Sequence, residues 1–404
     1  MRFLLYVVAI IDRVNFGFAK VQMQQALQFS DVVYGLGAGI FFVGYFLFEI
    51  RSNIVLARVG ARKWIARIPI MWGPIAAATA FVQTPLQFYI LRFLLGVGEA
   101  GLFPGIVLFL TYWFPAERRC RYIALFMLGI PIAGVIIGPL SAAVITGMQG
   151  LWGLQGWQWM FIVQVLTALF LGLIVLVWLD DRPARARRLT DAEKSQLQAA
   201  VGEPAEHLRP MAEIKLALAQ KGIGLETMAY FFLVAAASAF GLWGPQFLQD
   251  ILKTDLKGIG AALALIFAID TVLMIVVGFL ADCGGRRETI LLTVLTLSAL
   301  GFATTGLMTA NPGLAVAGFV VGVGSYLAAL PVFWGSLTPR LVVAAAPAAI
   351  ALVNSIGNVG GAIGPALLGP IKQNLGLAPS ILALAAMMAL AALFALSFRK
   401  SSPC

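Results

Sequence analysis

Asp12, Arg13, Arg92, Glu99 and Asp270 are charged residues that stand in otherwise apolar stretches. A charge at the centre of a lipid bilayer costs roughly 2.5–3.5 kcal/mol on insertion scales, so such residues normally face a cavity or a partner. The residue types suggest a chemistry. Arginine binds a carboxylate in two places through a planar fork that stays charged. A buried carboxylic acid gains or loses a proton according to its burial and its charged neighbours. The set therefore suits an anion plus a proton. An incoming carboxylate would neutralise an arginine and free the acid beside it to take a proton. The competing reading is a buried ion-pair network that only docks two helices. Arg92 and Glu99 are seven residues apart, almost two helical turns, which puts them on one face about 10 Å apart. Asp12 and Arg13 are adjacent, point about 100° apart, and need different partners.

Other chemistries find little support. The sole histidine, His207, lies in the most polar stretch, and Cys120, Cys283 and Cys404 fall in or beside charged loops or at the C-terminus. No disulfide framework, metal-ligand spacing or Walker-type phosphate loop is legible. No catalytic residue, metal or other cofactor is expected, and the chain is not read as an enzyme.

The elements that must position these charges follow from composition. Of 404 residues, 61% are hydrophobic and 11% charged. Soluble domains carry about 25% charged residues. A soluble fold and disorder are both excluded, and an all-α membrane protein is expected. Apolar segments fall near 3–20, 32–56, 64–82, 87–112, 121–146 and 157–179, then near 223–248, 259–281, 288–308, 313–338, 347–371 and 377–398. That is twelve transmembrane helices, since a spanning helix needs about 20 apolar residues. The expected organisation is a six-helix bundle over 1–179, a linker loop over 180–222 and a second six-helix bundle over 223–404.

Positive charge orients the model. Arg58, Arg62, Lys63, Arg67, Arg118, Arg119, Arg121, the central stretch, Arg286, Arg287, Arg399 and Lys400 share one side. The opposite loops hold only Lys20, Lys253, Lys257 and Lys372. Both termini and the linker are therefore expected in the cytoplasm. The net charge of +10 is explained by topology, and nucleic acid is not an expected partner. Arg2 and the apolar run Phe3–Ile11 imitate a signal peptide, but Asp12 and Arg13 follow without a small-residue cleavage site. In the linker, Thr190 and Glu193 fit a capping box opening a short surface helix.

The two halves repeat weakly. Gly96-Val-Gly-Glu99 recurs as Gly322-Val-Gly-Ser325, and Gly138-Pro139 as Gly364-Pro365, both at a shift of 226 (322 minus 96, 364 minus 138). Gly60–Lys63 recurs as Gly284–Arg287 at a shift of 224 (284 minus 60). Two parallel repeats can rock about a central site and expose it to either side in turn. The shift places Ser325, Gly318, Ser238 and Ala239 opposite Glu99, Arg92, Asp12 and Arg13. The second half offers Trp243, Gln246, Trp334, Asn354 and Asn358 instead. These either fix the neutral part of a substrate or simply pack.

Several segments carry a family resemblance. They are Asp12-Arg-Val-Asn-Phe-Gly-Phe-Ala19, Tyr34 to Glu49 with its Gly35-Leu-Gly-Ala-Gly39 run, and Val59-Gly-Ala-Arg-Lys-Trp-Ile-Ala-Arg67. They continue with Leu91-Arg-Phe-Leu-Leu-Gly-Val-Gly-Glu-Ala-Gly-Leu-Phe-Pro-Gly105, Thr111-Tyr-Trp-Phe-Pro115 and Ile350 to Gly361. Nearly end to end, the chain resembles the anion:cation symporter branch of the major facilitator superfamily. The likeness is to bacterial carriers of tartrate, phthalate and hydroxyphenylacetate, with sugar-acid carriers further off. It implies that Asp12 and Glu99 carry protons and that Arg13 and Arg92 hold substrate carboxylate. It adds Tyr45 and Asn354 to the substrate site, where Trp334 and Asn358 are also placed.

The expectation is a proton-coupled symporter importing a small organic carboxylate, a multi-pass monomer of the bacterial inner membrane. An exchanger or exporter of the same fold is the nearest alternative. A membrane receptor or an integral-membrane enzyme is the alternative in a different class. Three residues depart from the family pattern. Arg51 replaces a proline, Arg340 an apolar residue, and Asp270 has no counterpart. Arg51 and Arg340 are expected to snorkel at the interface. Asp270 is expected at the cavity edge, as a second proton site, a partner for a substrate cation, or a tolerated burden.

Overall fold

The structure, a computed structural model, describes residues 2–102, 105–106, 109, 113–114, 128–181, 183, 186, 189–201, 215–216, 218–220, 222–283, 287–341 and 346–400. The expectations for Arg118, Arg119, Cys120, Arg121, His207, Arg286 and Cys404 lie outside the described residues, as does most of Thr111–Pro115.

Among the described residues every regular element is a helix. The order is α1 (Arg2–Leu27), α2 (Asp31–Val59), α3 (Ala61–Ala78), α4 (Pro85–Glu99), α5 (Gly129–Gly147), α6 (Gly156–Trp178) and α7 (Asp191–Val201). Then come α8 (Ile223–Leu252), α9 (Leu256–Cys283), α10 (Arg287–Leu307), α11 (Pro312–Leu337), α12 (Ala346–Leu375), α13 (Leu377–Ala395) and α14 (Ser397–Lys400). Nine of the described helices are long and apolar enough to cross a membrane. On α6, Leu166, Phe170, Leu173 and Val177 are all exposed. Their spacing of four, three and four makes one continuous apolar face. That face would be untenable in water and suits lipid.

Helix starts follow local chemistry. The Ser30 hydroxyl accepts from the Val33 backbone N–H at 3.3 Å and opens α2. Thr84 and Gln87 form a reciprocal capping box at α4, with Pro85 in the first turn. Asn311 accepts from the Leu314 N–H and Pro312 follows it at α11. In the linker, Thr190 donates its backbone N–H to Glu193 at 2.8 Å, as the capping-box spacing predicts. That bond holds the Glu193 carboxyl below the usual glutamate range.

Two segment expectations need correction. The run over 87–112 does not form one helix. α4 ends at Glu99, Ala100 leaves helical geometry, and Gly101 takes φ +88°. A left-handed φ is sterically open to glycine, which explains why the break falls there. Ser52 Oγ donates to the Ala100 carbonyl at 2.7 Å and satisfies an acceptor that the break releases. The second correction is Lys20. It is not a loop residue but lies in α1 with its side chain fully buried.

In the first half, α2 packs on α4, α3 on α6, and α1 on α5 and α6. In the second, α8 packs on α12 and α13, α10 on α11 and α13, and α9 on α11. Among the described residues the main contacts between the halves are α1 with α8, α2 with α12, and α5 with α9. Small residues set these seams. A Cβ at Gly39 would sit 2.7 Å from the Ala362 carbonyl, and one at Gly138 would overlap the Gly260 backbone. The repeat shift also appears in space. Lys20 donates to Gln246, the residue 226 positions on, so equivalent positions of the two halves meet.

Candidate substrate and proton site

α4 and α1 bring the four expected charges together. On α4 the buried residues include Phe88, Arg92, Leu95, Gly96 and Glu99, one face of the helix. Gly96 lets that face reach α2, because a Cβ there would overlap the Phe41 carbonyl. Asp12, Arg92 and Glu99 are buried. Arg13 Nε donates to Glu99 Oε2 at 2.7 Å, with 28% of the Arg13 side chain exposed and none of Glu99. Asp12 has Glu99, Arg92 and Arg13 as its charged neighbours. Asp12 Oδ2 and Glu99 Oε1 have no described N–H or O–H donor.

The aromatic lining comes from α1 and α2. The Arg92 guanidinium carbon lies 4.3 Å from the Phe16 ring centre and 4.9 Å from that of Phe41. Its Nε donates to the Gly37 carbonyl at 3.3 Å. The Arg13 guanidinium carbon is 5.1 Å from the Tyr45 ring centre. A guanidinium over such rings keeps its charge in a dry setting and keeps donors for an incoming acceptor. With both acids ionised, two acids and two arginines cancel. An added anion therefore unbalances the set unless a proton arrives with it.

Of the remaining expected residues, Asn354 and Asn358 form a second group. Asn354 Nδ2 donates to Glu49 Oε1 at 2.9 Å, and Asn358 Nδ2 to Glu49 Oε2 at 3.3 Å. Trp334 stands edge-on to Tyr230 with ring centres 5.0 Å apart. Trp243 and Gln246 are not in either group. They pack around Lys20, whose ammonium lies 3.1 Å from the Trp243 ring centre and 3.2 Å from Asp31 Oδ1. A cavity of about 350 Å³, lined by Gln24, Gln25, Gln28, Phe29, Gln246 and Gln249, opens beside this pair and not at the four charges. Among the described residues, no group of three or more His, Cys, Asp or Glu could hold a metal ion.

Sequence reasoning missed Glu49 and Lys20, both fully inside helices. The signal was present. Glu49 falls in an apolar run, one turn beyond Tyr45 on the same face.

Two of the three departures are placed differently from expectation. Arg51 is exposed. Arg340 does more than snorkel. Its Nη1 donates to Glu226 at 3.2 Å, its Nη2 to Glu288 at 3.0 Å, and it also bonds the Phe398 carbonyl. It thus ties together the starts of α8 and α10 and the end of the chain. Asp270 is not at a cavity edge. It is wholly buried, and neither oxygen has a hydrogen-bond donor among the described residues. A Cβ at Gly324 would lie 2.6 Å from Asp270 Oδ1, so the glycine makes room for the carboxyl.

Comparison with known proteins decides the family. Residues 2–269 match the model of the Major Facilitator Superfamily. The chain belongs to the major facilitator superfamily. It is 41% identical to an Agrobacterium vitis protein named for tartrate transport, over 99% of this chain and 89% of that one. It is 34% identical to the inner membrane transport protein RhmT of Escherichia coli K12, over 90% of this chain and 84% of the relative. A solved structure of a bacterial homologue of the human lysosomal transporter Spinster, inward-facing and occupied, has the same fold. It superposes with a TM-score of 0.80 over 99% of this chain and 96% of that one, at 16% identity. This superfamily member resembles transporters, not enzymes.

Proposed function

We propose that the protein is a secondary active transporter that carries a small organic anion together with protons. The anion is a carboxylate of the tartrate, phthalate, hydroxyphenylacetate or sugar-acid class. The observation behind this reading is the set of Asp12, Arg92 and Glu99, buried among aromatic rings, with half-buried Arg13 paired to Glu99, in a span that should be neutral. Arg92 and Arg13 take the carboxylate. Tyr45, Trp334, Asn354 and Asn358 hold the rest of the substrate. Asp12 and Glu99 carry protons. A substrate carboxylate arriving at Arg13 competes with Glu99 for the guanidinium, and a released Glu99 takes up a proton. Similarity to a protein named for tartrate transport supports the carboxylate class.

The bundles 1–179 and 223–404 rock about this centre and the linker 180–222 tethers them. The end bearing the linker faces the cytoplasm, by the excess of Arg and Lys there. The membrane is the bacterial inner membrane, and the working unit is the monomer. The test is transport by the purified protein in proteoliposomes, with labelled L-tartrate, phthalate and hydroxyphenylacetate. Counterflow of at least one is expected, with accumulation when the opposite compartment is acidified. Binding without counterflow would point to a receptor. Counterflow with no net accumulation under an imposed pH gradient would remove the proton from the mechanism.

A further inference from the structure

Glu49 is a buried acid that the four-charge set does not use. It lies on α2 and is 3% exposed. Its carboxylate crosses to α12, where three neutral donors meet it. Asn354 Nδ2 reaches one oxygen at 2.9 Å, and Asn358 Nδ2 and Ser355 Oγ reach the other at 3.3 and 3.4 Å. The spacing explains the convergence, since residues four apart on a helix stand one above the other. Arg13 lies within electrostatic range of the same carboxylate. Two amides, a hydroxyl and a nearby guanidinium are what a carboxylate ligand needs. The amide donors are neutral, so they select an acceptor without fixing a permanent ion pair.

We infer that Glu49 is an internal stand-in for substrate: its carboxylate fills the donors of a second carboxylate subsite on α12, beyond the one at Arg92 and Arg13, and the second carboxylate of an arriving organic dianion displaces it. This rests on reading the protein as an organic-anion carrier. Two carboxylates cannot share these donors, since each would leave the other unsatisfied and both repel. The exchange has a mechanical consequence. The bridge joins α2 to α12 across 305 residues of chain and one of the seams between the halves. Substrate entry releases that tie, and substrate departure restores it. A ligand shifts a conformational equilibrium only through different contacts in the two states, and this exchange supplies such a difference. It also supplies selectivity. A neutral sugar or amide does not replace a charged acceptor at these donors.

The test uses the purified full chain and measures dissociation constants for L-tartrate, phthalate and hydroxyphenylacetate. Glu49→Gln keeps the shape and removes the charge, and Glu49→Ala removes the competitor. Both should bind the preferred carboxylate about tenfold more tightly than wild type, with slower counterflow because release no longer has a replacement acceptor. Asn358→Ala should weaken binding in the Glu49→Gln background. A variant that only loosened the fold would not gain affinity. If Glu49→Ala fails to fold, Glu49→Gln decides. Wild-type binding with equal or weaker binding by Glu49→Gln overturns the inference and leaves the carrier reading standing. No carboxylate bound by either protein overturns the carrier reading, and the inference with it.

Discussion

Replacing Glu99 by glutamine should separate proton coupling from transport. The change keeps size and hydrogen-bonding shape and removes the titratable group. The geometry sets the structural penalty. Glu99 is fully buried and takes the Arg13 Nε bond at 2.7 Å. A hydrogen bond to a charged group contributes about 1.5–3 kcal/mol. The glutamine carbonyl still accepts from Arg13, so only the charge assistance is lost, roughly half of that value. The glutamine amide also offers Asp12 a donor, which offsets part of the loss. Arg13 keeps 28% of its side chain exposed, so water takes up some of its unbalanced charge. The fold should survive with a small fall in melting temperature. The functional effect is larger. One pH unit supplies about 1.4 kcal/mol for each proton carried, a tenfold accumulation ratio. Wild-type proteoliposomes under a one-unit gradient should concentrate labelled carboxylate by that factor per coupled proton. Glu99→Gln should lose the share carried through Glu99 while still exchanging substrate for substrate. Two assays on one preparation suffice: uptake driven by an imposed pH gradient, and counterflow at equal pH. Gradient-driven accumulation by the mutant at the wild-type level would refute the assignment.

Three further outcomes follow from the same geometry. Arg92→Ala should abolish carboxylate binding measured by calorimetry, because its guanidinium is buried over Phe16 and Phe41 and an anion would enter with no counter-charge there; unchanged affinity would remove Arg92 from the site. Asp270→Asn should leave transport intact and thermal stability equal or higher, since the carboxyl is wholly buried with neither oxygen receiving a hydrogen bond from the described residues; a large loss of proton-driven uptake with normal folding would make Asp270 part of the mechanism. Arg340→Ala should destabilise the protein by about 3 kcal/mol, because it strands Glu226, whose side chain is 5% exposed, and takes one partner from Glu288; a thermal unfolding curve that matches wild type would show that the staple contributes little.

The class of the protein was legible from composition, because a chain this apolar has no other way to cover its surface than lipid. Asp12, Arg13, Arg92 and Glu99 were legible for the converse reason. A charge in an apolar run is expensive wherever it points, so its presence alone marks it. The spacing of Arg92 and Glu99 also placed them on one face, since that depends only on helical geometry. Which charge meets which did not follow. Arg13 pairs with Glu99 because Gly96 lets α4 close on α2, and because α1 lies at the junction with both halves. Partnership of that kind depends on how helices far apart in sequence pack, and local pattern carries no record of it. Lys20 shows the limit from the other side. Near the end of an apolar segment it reads as a loop residue, yet Asp31 on α2 and Gln246 and Trp243 on α8 let it be buried. Arg340 differs from an ordinary snorkelling arginine through partners such as Glu226 and Glu288, which lie 114 and 52 residues away. Asn354 and Asn358 were legible as candidate ligands by residue type and helical spacing. That a glutamate of the other half holds them was decided by tertiary structure alone, where α2 and α12 meet side by side.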